Sequence, residues 1–263
     1  MNDFILDFWN KNAEKFKQSS SASWGDDFAI KLEIETISNY IKDGDIVLDV
    51  GCANGFSSLL QCELHNLKQL VCIDYSENMI KYAQENKKES RYKDIVDFSI
   101  GDIRQIKFQD NTFDVVYTTR VLINLPNWNE QMQGIQECFR VAKPNGTIIF
   151  SEAFFEPFIR LNSLRTLAGL SALEEHDFNR YLKKYRLEEF FRNNGLKYEN
   201  IDFTSVYYLG SRFLRDLVTD YSSYEGYTNP INNEFFELEK KYSGGNFGIQ
   251  QAYVVKKGSL NLL

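Results

Sequence analysis

Cysteine is scarce in this sequence, and the few cysteines present do not suggest disulfides or a metal site. There are four, none of them in a C-x-x-C pair, and three lie in or beside apolar runs. Unpaired cysteines in apolar surroundings are typical of a reducing compartment rather than of a disulfide-stabilised secreted domain. We also find no cluster of two acids and an asparagine for a magnesium ion, and therefore expect no metal.

Long apolar segments are absent as well. No run approaches the roughly 20 residues that a membrane span requires. Residues 1–16 carry acids and an amphipathic pattern, whereas a signal peptide has a basic start and a continuous apolar stretch. We therefore expect a cytoplasmic protein that makes no contact with a membrane.

An excess of basic residues is also missing. The formal net charge is −7; residues 1–150 hold 16 Lys and Arg against 22 Asp and Glu, and residues 151–263 hold 14 against 15. A nucleic-acid partner would need a basic footprint, so a small-molecule substrate is expected instead. The second part is nearly neutral but carries seven of the eleven arginines and ten of the fifteen tyrosines, which indicates a separate role for it.

What the sequence does contain is an alternation of apolar runs and helical patterns from residue 46 onward. Strands separated by helices predict a parallel, doubly wound α/β sheet. Residues 4–41 and 154–196 have mainly helical patterns. The seven predicted strands are 46–50, 70–74, 95–100, 113–118, 147–152, 201–209 and 249–255.

A glycine-rich loop follows the first strand, at the end of the sheet where open parallel sheets bind ligands. It lies in the segment VLDVGCANG, residues 47–55. A dinucleotide fingerprint would need glycine at Ala53 and Phe56, and the carboxylate of Asp49 would repel a diphosphate. A cationic ligand reverses that argument, because a carboxylate attracts it.

This segment resembles the D-x-G-x-G-x-G motif of class I S-adenosylmethionine-dependent methyltransferases, in which Ala53 takes the place of the middle glycine. Alanine is small enough to permit close approach of a ligand provided that its φ is negative. Asp74 and Asp102 end the next two strands, at the family's ribose and adenine positions, which places three acids at successive strand ends. The residues that the resemblance assigns to the cofactor S-adenosylmethionine are Asp49, Gly51, Cys52, Ala53, Asn54, Gly55, Asp74, Tyr75, Asp102, Ile103, Thr118 and Thr119.

The resemblance also implies an architecture. It implies a Rossmann-like seven-stranded sheet whose last strand is antiparallel, covered by a helical cap. We expect a single methyltransferase domain over residues 1–263, with an N-terminal helical lid at 1–45. Residues 46–152 would then form the cofactor-binding core, and 153–263 the acceptor-binding insertions and final strands.

Methyl transfer mainly requires the donor and the nucleophile to be aligned, and a base only for a weak nucleophile such as an alcohol. The arginine-rich second part favours a small polar or anionic acceptor, because guanidinium groups match phosphate and carboxylate. The candidate catalytic residues are His176, Glu152, Arg120 and Asn124. The candidate acceptor-binding residues are Asn162, Arg165, Asn179, Tyr208 and Arg212.

Two segments narrow the acceptor class. RLNSLR and HDFNRY resemble methyltransferases that modify bacterial surface polysaccharides such as capsule, whereas TTRV after the fourth strand lacks the N-P-P-Y pattern of nucleobase enzymes. The sequence therefore predicts O-methylation of a sugar, sugar phosphate, nucleotide sugar or phosphoryl derivative. An N-methyltransferase for an amino sugar and a regulatory cofactor-binding protein without turnover are the alternatives.

Overall fold

The core of the protein is one seven-stranded mixed sheet, in a computed structural model that describes residues 3–219 and 226–258. The order is β3-β2-β1-β4-β5-β7-β6, with β1 to β5 parallel and β7 antiparallel to both neighbours. This confirms the predicted fold class. The strands are β1 (Ile46–Val50), β2 (Gln69–Asp74), β3 (Val96–Ile100), β4 (Phe113–Thr119), β5 (Ala142–Ala153), β6 (Tyr198–Ile201) and β7 (Gln250–Lys256).

Helices cover both faces of the sheet, and three of the described α-helices begin at a side-chain N-cap. The side chains of Asp26, Ser76 and Asn127 each accept the backbone N–H three residues ahead, which satisfies one of the free donors at a helix start. The α-helices are α1 (Asp3–Phe16), α2 (Asp27–Ser38), α3 (Phe56–Leu64), α4 (Glu77–Glu89), α5 (Trp128–Val141), α6 (Phe155–Leu167), α7 (Lys184–Asn193), α8 (Ser205–Leu209), α9 (Arg215–Val218) and α10 (Asn232–Glu239).

The central strands are buried on both faces, as parallel strands between two helical layers must be. Val47 and Leu48 of β1 and Leu70 of β2 have no exposed surface. All four cysteines are free and buried. Among the described residues, no helix is long and apolar enough to cross a membrane.

The prediction of a strand over 201–209 is wrong for most of its length. β6 ends at Ile201, and Thr204 Oγ1 then donates to the carbonyl of Gln250, while residues 205–209 form α8. Tyr207 and Tyr208 are both buried. A strand of an edge pair would turn consecutive side chains to opposite faces, whereas a helix packed in the cap buries both.

Helices that precede β1 and helices that lie between β6 and β7 meet in this cap. Phe28 of α2 packs against Phe236 of α10 and Tyr207 of α8, with ring centroids 5.0 and 6.1 Å apart. The Tyr207 hydroxyl donates to Asp26, the N-cap of α2, at 2.6 Å. The N-terminal helices and the insertions after β5 therefore cover the carboxyl ends of the strands together.

Candidate active site

A pocket opens at the carboxyl ends of β1 to β4, where the strand order reverses between β1 and β4. Such switch points are where open α/β sheets bind ligands. The pocket is lined by Ile5, Trp9, Ser23, Val50, Gly51, Ala53, Asp74, Tyr75, Met79, Gly101, Asp102, Ile103, Thr119, Arg120, Val121, Asn124 and Leu125. Below we call it the donor pocket.

The glycines of the first loop are required by packing within the protein. Gly51 has φ +83°, and a Cβ there would lie 1.9 Å from Val121 Cγ2; Gly55 has φ +76°, and its Cβ would lie 2.5 Å from Phe98 Cζ. Ala53 has φ +47°, so the condition of a negative φ is not met. Its left-handed conformation accompanies a hydrogen bond from its N–H to Asp74 Oδ2 at 2.8 Å.

Asp74 is the acid that the structure places in the pocket wall with fixed geometry. Its two oxygens accept the backbone N–H groups of Ala53 and Ser76, each at 2.8 Å. A carboxylate has about four acceptor positions, so two remain for hydroxyl donors. Burial raises the pKa of Asp74 to about 6. This arrangement fits a ribose with two adjacent hydroxyls.

Four more predicted donor residues line the pocket: Tyr75, Asp102, Ile103 and Thr119. Asp102 is held by Arg104, whose Nε donates to Oδ1 at 2.9 Å. Ile103 is 4% exposed and forms part of an apolar wall together with Met79 and Leu125. An apolar wall beside a carboxylate fits a purine ring with an amino group.

Asp49 does not line the pocket, which corrects its predicted direct contact with the donor. It is 2% exposed, and its Oδ2 accepts the hydroxyls of Ser58 and Tyr117 at 2.6 and 2.8 Å. Burial raises its pKa to about 7. Its Oδ1 has no hydrogen-bond partner among the described residues. Asp49 therefore supports the loop from beneath.

Four further predicted donor residues also lie outside the pocket lining: Cys52, Asn54, Gly55 and Thr118. Cys52 and Thr118 are buried, and the Thr118 hydroxyl donates to Glu152 at 2.7 Å. The amide nitrogen of Asn54 donates to the carbonyls of Lys17 and Ser19, both at 2.8 Å. Asn54 thus ties the glycine loop to the segment that follows α1.

The N-terminal helix supplies donor-pocket residues that the sequence did not single out. Ile5 and Trp9 of α1 line the pocket, and Trp9 Nε1 donates to Asn124 Oδ1 at 3.4 Å. Trp9 and Ala13 of α1 also pack with Met79 and Tyr82 in a small cluster that is separate from the main core. The amphipathic pattern of residues 4–16 was the only available signal.

A larger cavity of about 710 Å³ adjoins the donor pocket. Trp9, Ser23, Arg120 and Asn124 line both spaces and form the boundary between them. Three predicted acceptor-binding residues line the cavity, namely Asn179, Tyr208 and Arg212, as does the predicted catalytic His176. We call this space the acceptor cavity.

Arg120 stands at the boundary in a left-handed conformation, with φ +57°. Its Nη1 donates to the buried Glu33, and its guanidinium lies 4.6 Å from the ring centroid of Trp24. Glu33 also accepts Ser151 Oγ at 2.6 Å and the side chain of Gln250 at 2.9 Å. Glu33 and Gln250 are site residues that sequence reasoning missed, because they lie 87 or more residues from their partners.

Glu152 does not reach either space, so its predicted catalytic position is wrong. It has no exposed surface, and its carboxylate accepts the Thr118 hydroxyl and the backbone N–H groups of residues 121–123. Burial raises its pKa to about 7. Glu152 instead fixes the turn after β4 that carries Arg120 and Asn124.

Asn162 and Arg165 are also outside the acceptor cavity lining, contrary to prediction. Asn162 exchanges hydrogen bonds with the backbone of Leu173 at 3.0 and 2.7 Å. Arg165 pairs with Asp216 at 2.6 Å and donates to the carbonyl of Ser171 at 2.7 Å. Both side chains hold the loop after α6, and neither is directed at an acceptor.

Arg212 lies in the cavity, but its charge is neutralised from behind. Its Nη2 donates to Asp26, which has no exposed side-chain surface. The guanidinium lies 4.7 and 4.8 Å from the ring centroids of Tyr208 and Tyr227. The pair presents an aromatic and cationic wall with little net charge.

The affinity for the donor should depend on pH through Asp74. Its folded pKa of about 6 lies above the ordinary value, so Asp74 is protonated on mild acidification and loses acceptor capacity for the ribose hydroxyls. We expect affinity for S-adenosylhomocysteine to be constant between pH 7 and 8 and to fall steadily below pH 6. Calorimetry across that range measures it, and Asp74→Asn should abolish the dependence; an equal fall in that variant would contradict the assignment.

Proteins that are similar to this chain include methyltransferases. The family model of the methyltransferase domain matches residues 41–189. A demethylmenaquinone methyltransferase of Desulfitobacterium hafniense is 32% identical over 149 residues, which are 56% of this chain and 57% of that protein. The chain thus matches less than two thirds of the length of this relative.

Solved structures agree on the fold. A phosphoethanolamine N-methyltransferase of Haemonchus contortus, in complex with phosphoethanolamine and S-adenosylhomocysteine, superposes with a TM-score of 0.64 at 18% identity over 97% of this chain and 48% of that one. A geranyl diphosphate methyltransferase in complex with GPP and sinefungin gives 0.60 at 13% identity over 97% and 98%. Because the family model covers more than half of the chain, the chain belongs to the methyltransferase domain family, and the residues of its donor pocket fit S-adenosylmethionine.

Proposed function

We propose that the protein methylates an oxygen of a small, ring-containing polar molecule held in the acceptor cavity. The observation that carries this proposal is the shared boundary of Trp9, Ser23, Arg120 and Asn124 between the two spaces. When bound, the cofactor supplies an electrophilic methyl group on a sulfonium. The protein then needs only to hold the acceptor oxygen at this boundary and to exclude water.

Arg120 is the cation best placed to hold the acceptor. Only its Nη1 is used by a carboxylate, that of Glu33, and among the described residues no hydrogen bond involves its Nε or Nη2. Arg120 and Arg212 are balanced by Glu33 and Asp26. Lys15 and Glu174 add one positive and one negative charge to the lining. The charges favour an acceptor that is polar or carries one localised anionic group.

The rest of the lining is strongly aromatic. Ligand cavities of this type bury rings against aromatic side chains and fix their orientation with a few polar groups. A sugar, a sugar phosphate or a nucleotide sugar meets these requirements, and polysaccharide biosynthesis in the cytoplasm is our proposed context. The aromatic side chains are Phe8, Trp9, Phe16, Trp24, Phe158, Phe178, Tyr181, Tyr208 and Tyr227.

The same aromatic lining favours a second candidate acceptor, an aromatic hydroxyl such as that of a quinol. The similarity to a demethylmenaquinone methyltransferase supports a quinone-type ring as the ligand but not a hydroxyl as the methylated atom, because demethylmenaquinone lacks a methyl group on a ring carbon. Incubation of the protein with labelled S-adenosylmethionine and panels of both acceptor classes tests the proposal. Product NMR separates O- from N-methylation, as on an amino sugar, and failure of every hydroxylated acceptor would contradict it.

We propose His176 as the base for an alcohol acceptor. Its exposed ring lies parallel to that of Phe178, with centroids 5.5 Å apart, and lines the cavity beside Asn179. His176→Ala should lower kcat by about 100-fold or more, since a positioned base contributes roughly 10² to 10⁴. The measurement is the initial rate of methyl transfer with the accepted alcohol.

The other histidine provides a matched control. His65 lies at the opposite ends of the strands and pairs with Ser38 Oγ at 2.7 Å. His65→Ala should leave kcat unchanged, and His176→Ala should leave the affinity for S-adenosylhomocysteine unchanged. Equal rates for wild type and His176→Ala would remove His176 as the base.

A further inference from the structure

A separate groove of about 250 Å³ shares only Tyr181 with the acceptor cavity. Its other lining residues come from the starts of α5 and α6 and from the segment that leads into α7. Neither the donor pocket nor the proposed acceptor site uses it.

Three cations line this groove without a carboxylate partner. Arg180, Lys183 and Arg186 form no ion pair within the described ranges 3–219 and 226–258; Arg180 Nη1 donates only to the carbonyls of Asp177 and Asn179. This is unusual for the chain, where seven other arginines are paired with acids. Those seven are Arg104, Arg120, Arg140, Arg165, Arg192, Arg212 and Arg215.

The one carboxylate in the groove lining is already engaged. Glu175 accepts the backbone N–H of Tyr181 at 2.6 Å. Lys183 and Arg186 rest on aromatic rings, 5.7 Å from the Phe155 centroid and 5.8 Å from that of Trp128. Cation–π contacts hold the charged groups without neutralising them. The groove therefore keeps a net positive charge in a protein of net charge −7.

Three helix N-termini meet at the same place. α5 begins at Trp128, α6 begins at Phe155, and Lys183 is the N-cap of α7. Their first N–H groups are already engaged, since the N–H of Lys184 donates to the Glu156 carboxylate at 3.0 Å and that of Phe155 donates to the Leu182 carbonyl at 2.9 Å. The attraction for an anion therefore comes from the three cationic side chains.

We propose that this groove binds the phosphoryl group of a small molecule. Three cations without acid partners match a compact dianion, and the volume accommodates a phosphate with part of a sugar. The phosphoryl group belongs either to a sugar phosphate or to free inorganic phosphate or pyrophosphate. The inference is independent of the proposed function, because anion binding needs no methyl transfer.

Titration of the whole protein with inorganic pyrophosphate at low salt tests this site. Binding is followed by tryptophan fluorescence, with Trp128 in the groove, and by the width of the phosphorus NMR line. We expect saturable binding that weakens at least tenfold in the double variant Lys183→Gln, Arg186→Gln. Arg91→Gln removes a ring-stacked arginine outside the groove that has no ion pair in the described part of the chain, and should bind as wild type does.

Absence of saturable binding, or an equal loss in Arg91→Gln, would overturn the proposal. A second titration compares glucose 1-phosphate with glucose and with pyrophosphate. Glucose 1-phosphate binding at least tenfold tighter than both assigns the groove to sugar phosphates, and tighter pyrophosphate binding assigns it to the free anion. Either result supports a phosphoryl site, provided that the double variant loses it.

Discussion

Replacing Asp74 with alanine should lower the affinity for S-adenosylhomocysteine by about 100-fold or more. The carboxylate lies in the wall of the donor pocket, and two of its acceptor positions are free for the ribose hydroxyls. Each hydrogen bond to a charged group contributes roughly 1.5 to 3 kcal/mol. Loss of two therefore costs about 3 kcal/mol at least, which is roughly a factor of 100. Isothermal calorimetry at pH 7.5 measures the change.

Two variants control for charge and for the loop. Asp97→Ala removes the same charge from an exposed position on β3 and should bind S-adenosylhomocysteine as wild type does. Asp74→Asn keeps one acceptor oxygen for the loop and should fall between wild type and Asp74→Ala. Unchanged affinity in Asp74→Ala would exclude this residue from the donor site.

The sequence predicted the sheet and the position of the donor pocket well because both depend on local pattern. Apolar runs of five or six residues become buried parallel strands, and the residue after each run lies at the same edge of the sheet. Asp74 is the last residue of β2, Asp102 follows the end of β3, and both line the pocket. Strand position alone was enough to bring them together.

The direction of a side chain depends on packing that the sequence does not display. Asp49 also belongs to a strand end, but it points at Ser58 of α3 and Tyr117 of β4. Glu152 is likewise directed away from the ligands, since its carboxylate accepts backbone N–H groups of the turn after β4. Both residues were predicted to face ligands, and both instead stabilise the loops that do.

The charge of the acceptor cavity was the least predictable feature. Two of the described arginines line it, fewer than the arginine-rich second part of the sequence suggested, and their partners are distant in sequence: Arg120 pairs with Glu33, and Arg212 with Asp26, 186 residues away. Without those pairings, the cavity would be judged strongly cationic. Ion pairs of such long range require the tertiary fold.

The pair of Arg212 and Asp26 leads to the second large effect. Arg212→Met should lower the free energy of unfolding by about 3 to 5 kcal/mol, because it leaves the carboxylate of Asp26 buried without a counter-charge. For a chain of this size the loss corresponds to roughly 6 to 20 °C in Tm. Urea unfolding followed by circular dichroism measures it.

An exposed ion pair in the same protein provides a reference for the loss of stability. Lys81 and Glu14 are 3.4 Å apart with about half of each side chain in solvent, so Lys81→Met should leave the free energy of unfolding nearly unchanged. In the double variant Asp26→Asn, Arg212→Met, the uncompensated charge is gone, while the amide oxygen of the introduced asparagine can still accept from Tyr207 and Ala29. It should therefore be more stable than Arg212→Met alone. If Arg212→Met lowers the free energy of unfolding no more than Lys81→Met does, the buried pair does not stabilise the cap. The role of Arg212 would then be to bind the acceptor.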